Sequence, residues 1–141
     1  MIRVPHTVRG SMASEHEIEI RVRYSETDAM GFLHHSNYLN YYEMGRTELF
    51  RSRGGDYRQM EADGRFFVVV SFEAKYHLPA RYDDVLRLVT TMVKMGAAKL
   101  EHEYSVFRGD ELLATARSVL ACVDGDGRVQ RIPENVAATV E

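Results

Sequence analysis

The sequence predicts an α+β fold in which an antiparallel sheet surrounds one long helix. Residues 16–24, HEIEIRVRY, alternate apolar and charged side chains with a period of two, as expected for a strand with one face in water. Residues 36–54 carry apolar side chains at helical spacing instead. Beyond residue 65 the chain is rich in β-branched and aromatic residues and is interrupted by short turn signals. This order of elements is typical of an antiparallel sheet that one helix covers.

The sequence marks both ends of the predicted long helix. Ser36 is the expected N-cap, and Gly54 is the expected stop after two arginines that favour a helix carboxyl end. A segment of this length makes about four or five helical turns. Apolar residues occur on more than one side of it, which favours a central helix wrapped by the sheet. Its apolar stripe consists of Tyr38, Tyr42, Gly45 and Leu49.

Turn signals delimit the remaining elements. Residues 56–62 predict a second, short helix, and RGDE at 108–111 predicts a hairpin between two long strands. DGDG at 124–127 predicts a further turn followed by a short strand. The sheet is therefore expected to contain five or six strands.

Length and composition exclude several classes of protein. The 141 residues suit one domain, which we assign to residues 15–141, with residues 1–14 as a flexible polar tail. A net charge of −3 without a long basic run does not favour binding to nucleic acid. No apolar run is long enough to span a bilayer, so membrane insertion is not expected. The single cysteine, Cys122, forbids an internal disulfide and fits a cytoplasmic protein.

The stretch YSETDAMGFLHHSNY, residues 24–38, concentrates titratable groups between the first strand and the long helix. The position of Asp28 in the sequence permits two interpretations. It can close a polar turn at TDAMG, or it can act on a substrate bound over the free N–H groups of the helix start. His34 and His35 do not favour a metal site, because neighbouring side chains point different ways and no third ligand stands at a suitable spacing.

The helix region resembles the signature of the 4-hydroxybenzoyl-CoA thioesterase family. A second block, FEAKYHLPARYDDVLRL at residues 72–88, is similar to the family's strand that ends in Pro-Ala-x-Tyr-Asp-Asp. The resemblance covers about residues 15–125, and the helix block is most similar to the bacterial acyl-CoA thioesterases associated with the Tol–Pal system. The residues that match the first block in order are Tyr24, Glu26, Asp28, Gly31, His35, Asn37, Tyr38, Glu43 and Arg46.

The resemblance implies a hotdog fold, in which a long helix is wrapped by an antiparallel sheet. Two subunits of such a protein join their sheets, and the active site lies between them, so we expect a dimer or a tetramer. Asp28 is then the catalytic carboxylate, as base or nucleophile, and the backbone N–H of His35 polarises the thioester carbonyl. No cofactor is expected, because water and a carboxylate suffice.

The resemblance also assigns residues around the substrate. Those expected to shape or contact it are Tyr24, Gly31, Asn37 and Tyr38, with Lys94 and Lys99 as its phosphate contacts. The two lysines are proposed because the turn KMGAAKL lacks the arginines that the family places there. Glu43 is either an ion-pair partner of Arg46 or a possible second catalytic carboxylate.

We therefore expect an acyl-CoA thioester hydrolase. One alternative keeps the reaction but takes an acyl or polyketide chain from a carrier protein. Another is a non-catalytic hotdog module that binds an acyl thioester, although such a module has no need of a carboxylate at Asp28. A hydratase or dehydratase is not favoured, because the Asp/His pair that it would take from a different stretch is not found.

Overall fold

The computed structural model describes residues 14–137, which form one antiparallel sheet of five strands and three helices. The strands follow the order β1-β3-β4-β5-β2 across the sheet, so β1 and β2 are its edges. The predicted α+β architecture is therefore confirmed, whereas the predicted tail lies outside the described residues except for Ser14. The elements are β1 Ser14–Arg21, α1 His35–Ser52, α2 Tyr57–Ala62, β2 Phe66–Tyr76, β3 Val85–Met95, β4 Lys99–Arg108, β5 Glu111–Val123 and α3 Glu134–Ala137.

Aromatic rings fill the space between α1 and the sheet. Tyr42 of α1 is fully buried, and its ring centroid lies 4.6 Å from that of Tyr104 in β4 and 5.5 Å from that of Phe72 in β2. Tyr38, one turn earlier, is also buried and lies 6.1 Å from Tyr42 by the same measure. The first half of α1 is thus packed on a solid aromatic core.

The two ends of α1 are capped differently from each other. At the carboxyl end, the N–H of Gly54 donates to the carbonyl of Arg51 and the N–H of Gly55 donates to that of Phe50, which is the Schellman arrangement. Gly54 has a φ of +89°, and the predicted stop is confirmed. At the amino end the predicted cap is wrong, because His34 and not Ser36 is the N-cap.

Gly45 lets α1 approach the sheet closely. A Cβ atom at this position would lie 2.3 Å from the Thr90 Oγ1 and 2.8 Å from a Leu88 methyl carbon, both on β3. Real Cβ atoms do not tolerate such distances, so any other residue here would push the helix away from β3.

Two predicted strand boundaries also need correction. β1 ends at Arg21 and not at Tyr24, because residues 24–26 form a single 3₁₀ turn instead of extended chain. Beyond the turn at 124–127 the chain forms an isolated bridge between Val123 and Val129 instead of a sixth strand among the described residues. None of the helices within residues 14–137 combines the length and the apolar character that crossing a membrane would take.

We predict that Gly45→Ala destabilises the protein, although alanine is the better helix former by about 1 kcal/mol. The added methyl group overlaps Thr90 and Leu88, and such overpacking typically costs about 1–3 kcal/mol. Urea denaturation measures the free energy of unfolding. The control is Asn40→Ala on the exposed face of the same helix, which should not lower stability. A Gly45→Ala protein as stable as the control would contradict the close approach.

Candidate active site

Asp28 lies in a tight loop that its own carboxylate holds together. The backbone N–H of Asp28 donates to the carbonyl of Phe32 at 2.8 Å, and Thr27 and Leu33 form an antiparallel bridge just outside this pair. The Oδ1 of Asp28 accepts the N–H groups of Met30 at 2.8 Å and Phe32 at 3.1 Å. Gly31 closes the turn with a φ of +82°. The Oδ2 of Asp28 has no hydrogen-bond partner within residues 14–137, so one oxygen shapes the loop while the other is left over.

A second loop with the same hydrogen bonds lies at residues 124–128. The Oδ1 of Asp124 accepts the N–H groups of Asp126 at 2.9 Å and Arg128 at 3.0 Å, and Gly127 has a φ of +83°. Here, however, the Oδ2 accepts the side-chain amide of Gln130 at 3.1 Å. The hydrogen bond from the backbone N–H of Arg128, with a further one from Asp126, holds the pKa of Asp124 below its usual range against the opposing effect of burial. The two loops therefore differ in whether the second carboxylate oxygen is engaged.

Glu26 fastens the Asp28 loop to α1. Its buried carboxylate accepts the hydroxyl of Tyr41 at 2.6 Å and the backbone N–H of Arg23 at 2.8 Å, and it pairs with the Arg23 guanidinium at 3.1 Å. Its backbone carbonyl accepts the N–H of His34 and the side-chain amide of Asn37, both at 2.9 Å. Burial by itself would raise the pKa of Glu26, but the hydrogen bonds from Tyr41 and Arg23 outweigh it and lower this pKa below 4.5.

The amino end of α1 leaves one backbone donor without a partner. The Nδ1 of His34 accepts the N–H of Ser36 at 3.2 Å, and the carbonyl of His34 accepts the N–H of Asn37 at 3.0 Å. The N–H of His35 donates to no group within residues 14–137. The two histidine rings stack with centroids 4.2 Å apart. A helix amino end with a spare N–H favours negative charge, so the combination of Asp28 and His35 suits a reaction in which a carbonyl oxygen becomes an anion.

Comparison with known proteins identifies the family. The model of the "Thioesterase-like superfamily" matches residues 22–140. "Acyl-CoA thioester hydrolase YbgC" of Escherichia coli is 33% identical over 106 residues, which are 74% of this chain and 79% of that protein. "Acyl-acyl carrier protein thioesterase ATL3, chloroplastic" of Arabidopsis thaliana is 25% identical over 127 residues, which are 89% of this chain and 67% of that protein.

The chain belongs to the thioesterase-like superfamily. A crystal structure of 4-hydroxybenzoyl CoA thioesterase superimposes with a TM-score of 0.82 at 20% identity, covering 91% of this chain and 99% of that one, which confirms the hotdog fold. The expectation that this protein is a thioesterase is confirmed as well.

Several residues that were predicted to shape or contact the substrate lie around Asp28 in this thioesterase, but they differ in burial and in their contacts. Asn37 contacts the Glu26 carbonyl, as described above, and so helps to fix the helix start. Tyr38 is buried against Tyr76, with ring centroids 5.0 Å apart, and burial raises its pKa to about 12. Tyr24 is 77% exposed and packs edge-on against Tyr82. Its ring is therefore open to a ligand, whereas that of Tyr38 belongs to the core.

Glu43 does not join Asp28 within one chain. It lies on the exposed side of α1, eight residues and about 12 Å along the helix from His35. The predicted ion pair with Arg46 is wrong for the described residues, because Arg46 turns inward and donates to the hydroxyl of Tyr104 at 3.3 Å.

Lys94 and Lys99 are also remote from Asp28 in the single chain. Leu33 donates its N–H to the carbonyl of Ala80, which places the Asp28 loop beside the start of β3. The two lysines lie at the other end of that strand and just beyond it, about 30 Å away by the rise of extended chain. Among residues 14–137, no group of three or more His, Cys, Asp or Glu side chains could hold a metal ion.

Sequence reasoning missed the importance of Glu26 and Tyr41. The signal available was the hydroxyl of Tyr41 beside the apolar stripe of α1, since a buried tyrosine hydroxyl usually finds a hydrogen-bond partner. The identity of that partner depends on how the 3₁₀ turn at 24–26 folds back against the helix.

We predict that Glu26→Gln lowers the free energy of unfolding near pH 7 by about 1.5–3 kcal/mol, the usual range for hydrogen bonds to a charged group. Because the folded-state pKa lies below 4.5, the carboxylate contributes fully above that pH and loses its contribution as the pH falls through the folded-state pKa. The deficit of the variant should therefore shrink in acid.

Urea denaturation of both proteins from neutral pH downward measures this deficit. Glu43→Gln is the control, because Glu43 is exposed and its loss should change stability by less than about 0.5 kcal/mol. A deficit that stays constant with pH would show that Glu26 does not stabilise the fold through its negative charge.

Proposed function

We propose that this thioesterase hydrolyses acyl-CoA thioesters with Asp28 as its catalytic carboxylate. The observation that carries the proposal is the exposed Oδ2 of Asp28, which has no partner among residues 14–137 and lies in a hydrogen-bonded loop just before α1. A carboxylate in the equivalent loop at Asp124 has both oxygens engaged, so the loop itself does not require a free one.

The reaction has two possible routes through Asp28. In the first, Oδ2 attacks the thioester carbonyl carbon and displaces the thiolate, and water then hydrolyses the mixed anhydride. In the second, Asp28 takes a proton from a water molecule that attacks the same carbon. Both consume one water and yield a carboxylic acid and a thiol, and both place negative charge on the carbonyl oxygen.

His35 is proposed to stabilise that charge with its backbone N–H. The donor belongs to the first residue of an 18-residue helix, so the helix dipole acts in the same direction. One such donor typically lowers the barrier by about 2.7–4 kcal/mol. On this proposal the His35 ring, stacked on His34, is not required for the chemistry.

The substrate class rests on the names of the relatives and on the residues of the β3–β4 turn. The name of the Escherichia coli relative supports an acyl-CoA substrate. A carrier-protein substrate is the second candidate, which the name of the Arabidopsis relative favours. The exposed Gly96 and Ala97 favour it as well, because this turn lacks arginines that would contact the phosphates of CoA. For either substrate we place the protein in the cytoplasm, which its one cysteine, a buried free thiol, supports.

We further propose that two chains pair through the outer edge of β2. This strand is hydrogen-bonded on one side only, to β5, and its exposed apolar residues Val68, Val69 and Val70 are 45–52% accessible. An exposed apolar edge strand is a template for pairing with another chain. Antiparallel pairing of two β2 strands would bring the partner's β3–β4 turn to the Asp28 end of this chain, which would explain why Lys94 and Lys99 are remote within one chain.

We predict that Asp28→Asn lowers kcat on acyl-CoA substrates by about 100- to 10,000-fold, the usual range for a positioned acid–base group. The asparagine oxygen can still accept the N–H groups of Met30 and Phe32, so the thermal midpoint should not change. Thiol release from a panel of short, long and aromatic acyl-CoAs measures the activity.

The chain provides a matched control for this experiment. Asp124→Asn makes the same change in a loop with the same hydrogen bonds and should leave kcat unchanged. Equal activity of Asp28→Asn and the wild type would exclude the catalytic role of Asp28. Absence of activity in the wild type on every acyl-CoA would move the assignment to a carrier-protein substrate or a binding module.

We predict that Val69→Lys converts the dimer to a monomer and lowers kcat, because a buried charge opposes pairing at the β2 edge. Sedimentation measures the mass, and thiol release measures the activity. Val93→Lys is the control, since it places the same charge on an exposed valine of an interior strand. A Val69→Lys protein that remains a dimer would exclude this interface.

A further inference from the structure

Two adjacent tyrosines of α1, Tyr41 and Tyr42, differ in what their hydroxyl groups contact. Both side chains are buried, with 2% and 0% of their surface exposed. The Tyr41 hydroxyl donates to the Oε1 of Glu26 at 2.6 Å, whereas the Tyr42 hydroxyl has no hydrogen-bond partner within residues 14–137. The same side chain therefore only packs at position 42, whereas at position 41 it also attaches the helix to a carboxylate.

The proton of this hydrogen bond lies on Tyr41 and the negative charge lies on Glu26. Burial raises the pKa of Tyr41, and the hydrogen bond to Glu26 raises it further. The pKa of Glu26 is lowered instead, as described above. An O–H group that donates to a carboxylate at this distance forms a charge-assisted hydrogen bond, which is stronger than one between neutral groups.

Tyr41 provides the only hydrogen bond from α1 to the Glu26 carboxylate among the described residues. The other donors to this carboxylate are the backbone N–H of Arg23 at 2.8 Å and its guanidinium at 3.1 Å, both from the residue that caps the 3₁₀ turn. Without the Tyr41 hydroxyl the charge would keep these two partners, so it would not be left unpaired. The carboxylate would, however, lose its connection to the helix.

Glu26 lies between the two groups that the proposed reaction uses. Its carbonyl accepts the N–H of His34, the residue directly before His35. In the other direction, Glu26 precedes Asp28 by two residues in the chain. A shift of Glu26 relative to α1 would therefore move Asp28 relative to the N–H of His35.

We propose that Tyr41 is a positioning residue for thioester hydrolysis. Acting through Glu26, its hydroxyl fixes the distance between Asp28 and the N–H of His35. Tyr41 itself is buried six residues after His35, about 9 Å along the helix, so its effect on the reaction is one of position and not of contact with the substrate. This inference rests on the proposed function, because it takes Asp28 and the His35 N–H as the groups that act on the thioester.

Tyr41→Phe removes the hydroxyl and keeps the ring, so the variant should fold but hydrolyse acyl-CoA more slowly. We expect kcat to fall about 10- to 100-fold with KM unchanged, since a displacement of about 1 Å can cost about 100-fold in rate. Thiol release from the panel of acyl-CoAs measures both constants. Tyr42→Phe is the matched control, because it removes a hydroxyl that no described residue contacts, and it should leave kcat unchanged.

A double variant separates positioning from a general loss of stability. In the Asp28→Asn protein the carboxylate that Tyr41 positions is already absent, so adding Tyr41→Phe should lower the remaining kcat by a much smaller factor than in the wild type. A purely structural role of Tyr41 would lower kcat by the same factor in both proteins, and that result would overturn the proposal.

Backbone NMR signals provide a readout that does not depend on activity. Tyr41→Phe should shift the amide signals of His35, at the helix start, and of Met30, whose N–H donates to Asp28, whereas Tyr42→Phe should leave both in place. Amide signals that Tyr41→Phe leaves unchanged would overturn the proposal.

The activity results also separate this inference from the proposed function. Thiol release by Tyr41→Phe at the rate of the wild type, or an equal loss in Tyr41→Phe and Tyr42→Phe, would overturn the role of Tyr41 and leave acyl-CoA hydrolysis standing. Absence of thiol release by the wild type from every acyl-CoA would overturn that function instead, and the amide signals would then decide whether Tyr41 fixes the helix start.

Discussion

The hydrogen bond between the Glu26 carboxylate and the Tyr41 hydroxyl is the interaction on which the candidate site depends. At 2.6 Å it joins a buried charge in the loop region to the middle of α1. The carbonyl of the same residue holds the helix start through His34 and Asn37. The Asp28 loop and the free N–H of His35 are therefore fixed to one another through Glu26. Misplacement of a catalytic group by about 1 Å can cost about 100-fold in rate, so this attachment bears directly on catalysis.

The sheet also fixes the position of α1. It explains why, on the proposed function, one chain alone does not form a complete active site. Gly45 brings the helix onto β3, and the tyrosine rings fill the space beneath it. The interior beneath the first half of α1 is thereby closed. On the proposed function, the substrate therefore lies on the outside of α1 and along the β2 edge. The exposed valines of β2 make that edge apolar, and pairing with a second copy would cover them.

The parts of this structure that sequence predicts well are those that local physics determines. Alternation located β1, and the glycine at position 54 located the end of α1, because a left-handed residue after a helix is a local requirement. The N-cap was misplaced because His34 uses a ring nitrogen where serine would ordinarily use a hydroxyl. The inward turn of Arg46 and the burial of Glu26 depend on contacts with β4 and α1 that no local pattern contains.

The loops at Asp28 and Asp124 show where local sequence stops being informative about function. DAMGF and DGDGR share an aspartate followed three residues later by a glycine with positive φ, and both fold into the same turn. The turn alone therefore explains the aspartate at each position, and a structural reading of either is correct. The two loops differ in a contact from outside the turn. Gln130 donates to the second oxygen of Asp124, whereas no described residue donates to that of Asp28. What the folded chain adds is position: it holds the second oxygen of Asp28 beside the start of α1, where on the proposed function it takes a proton or attacks a carbon.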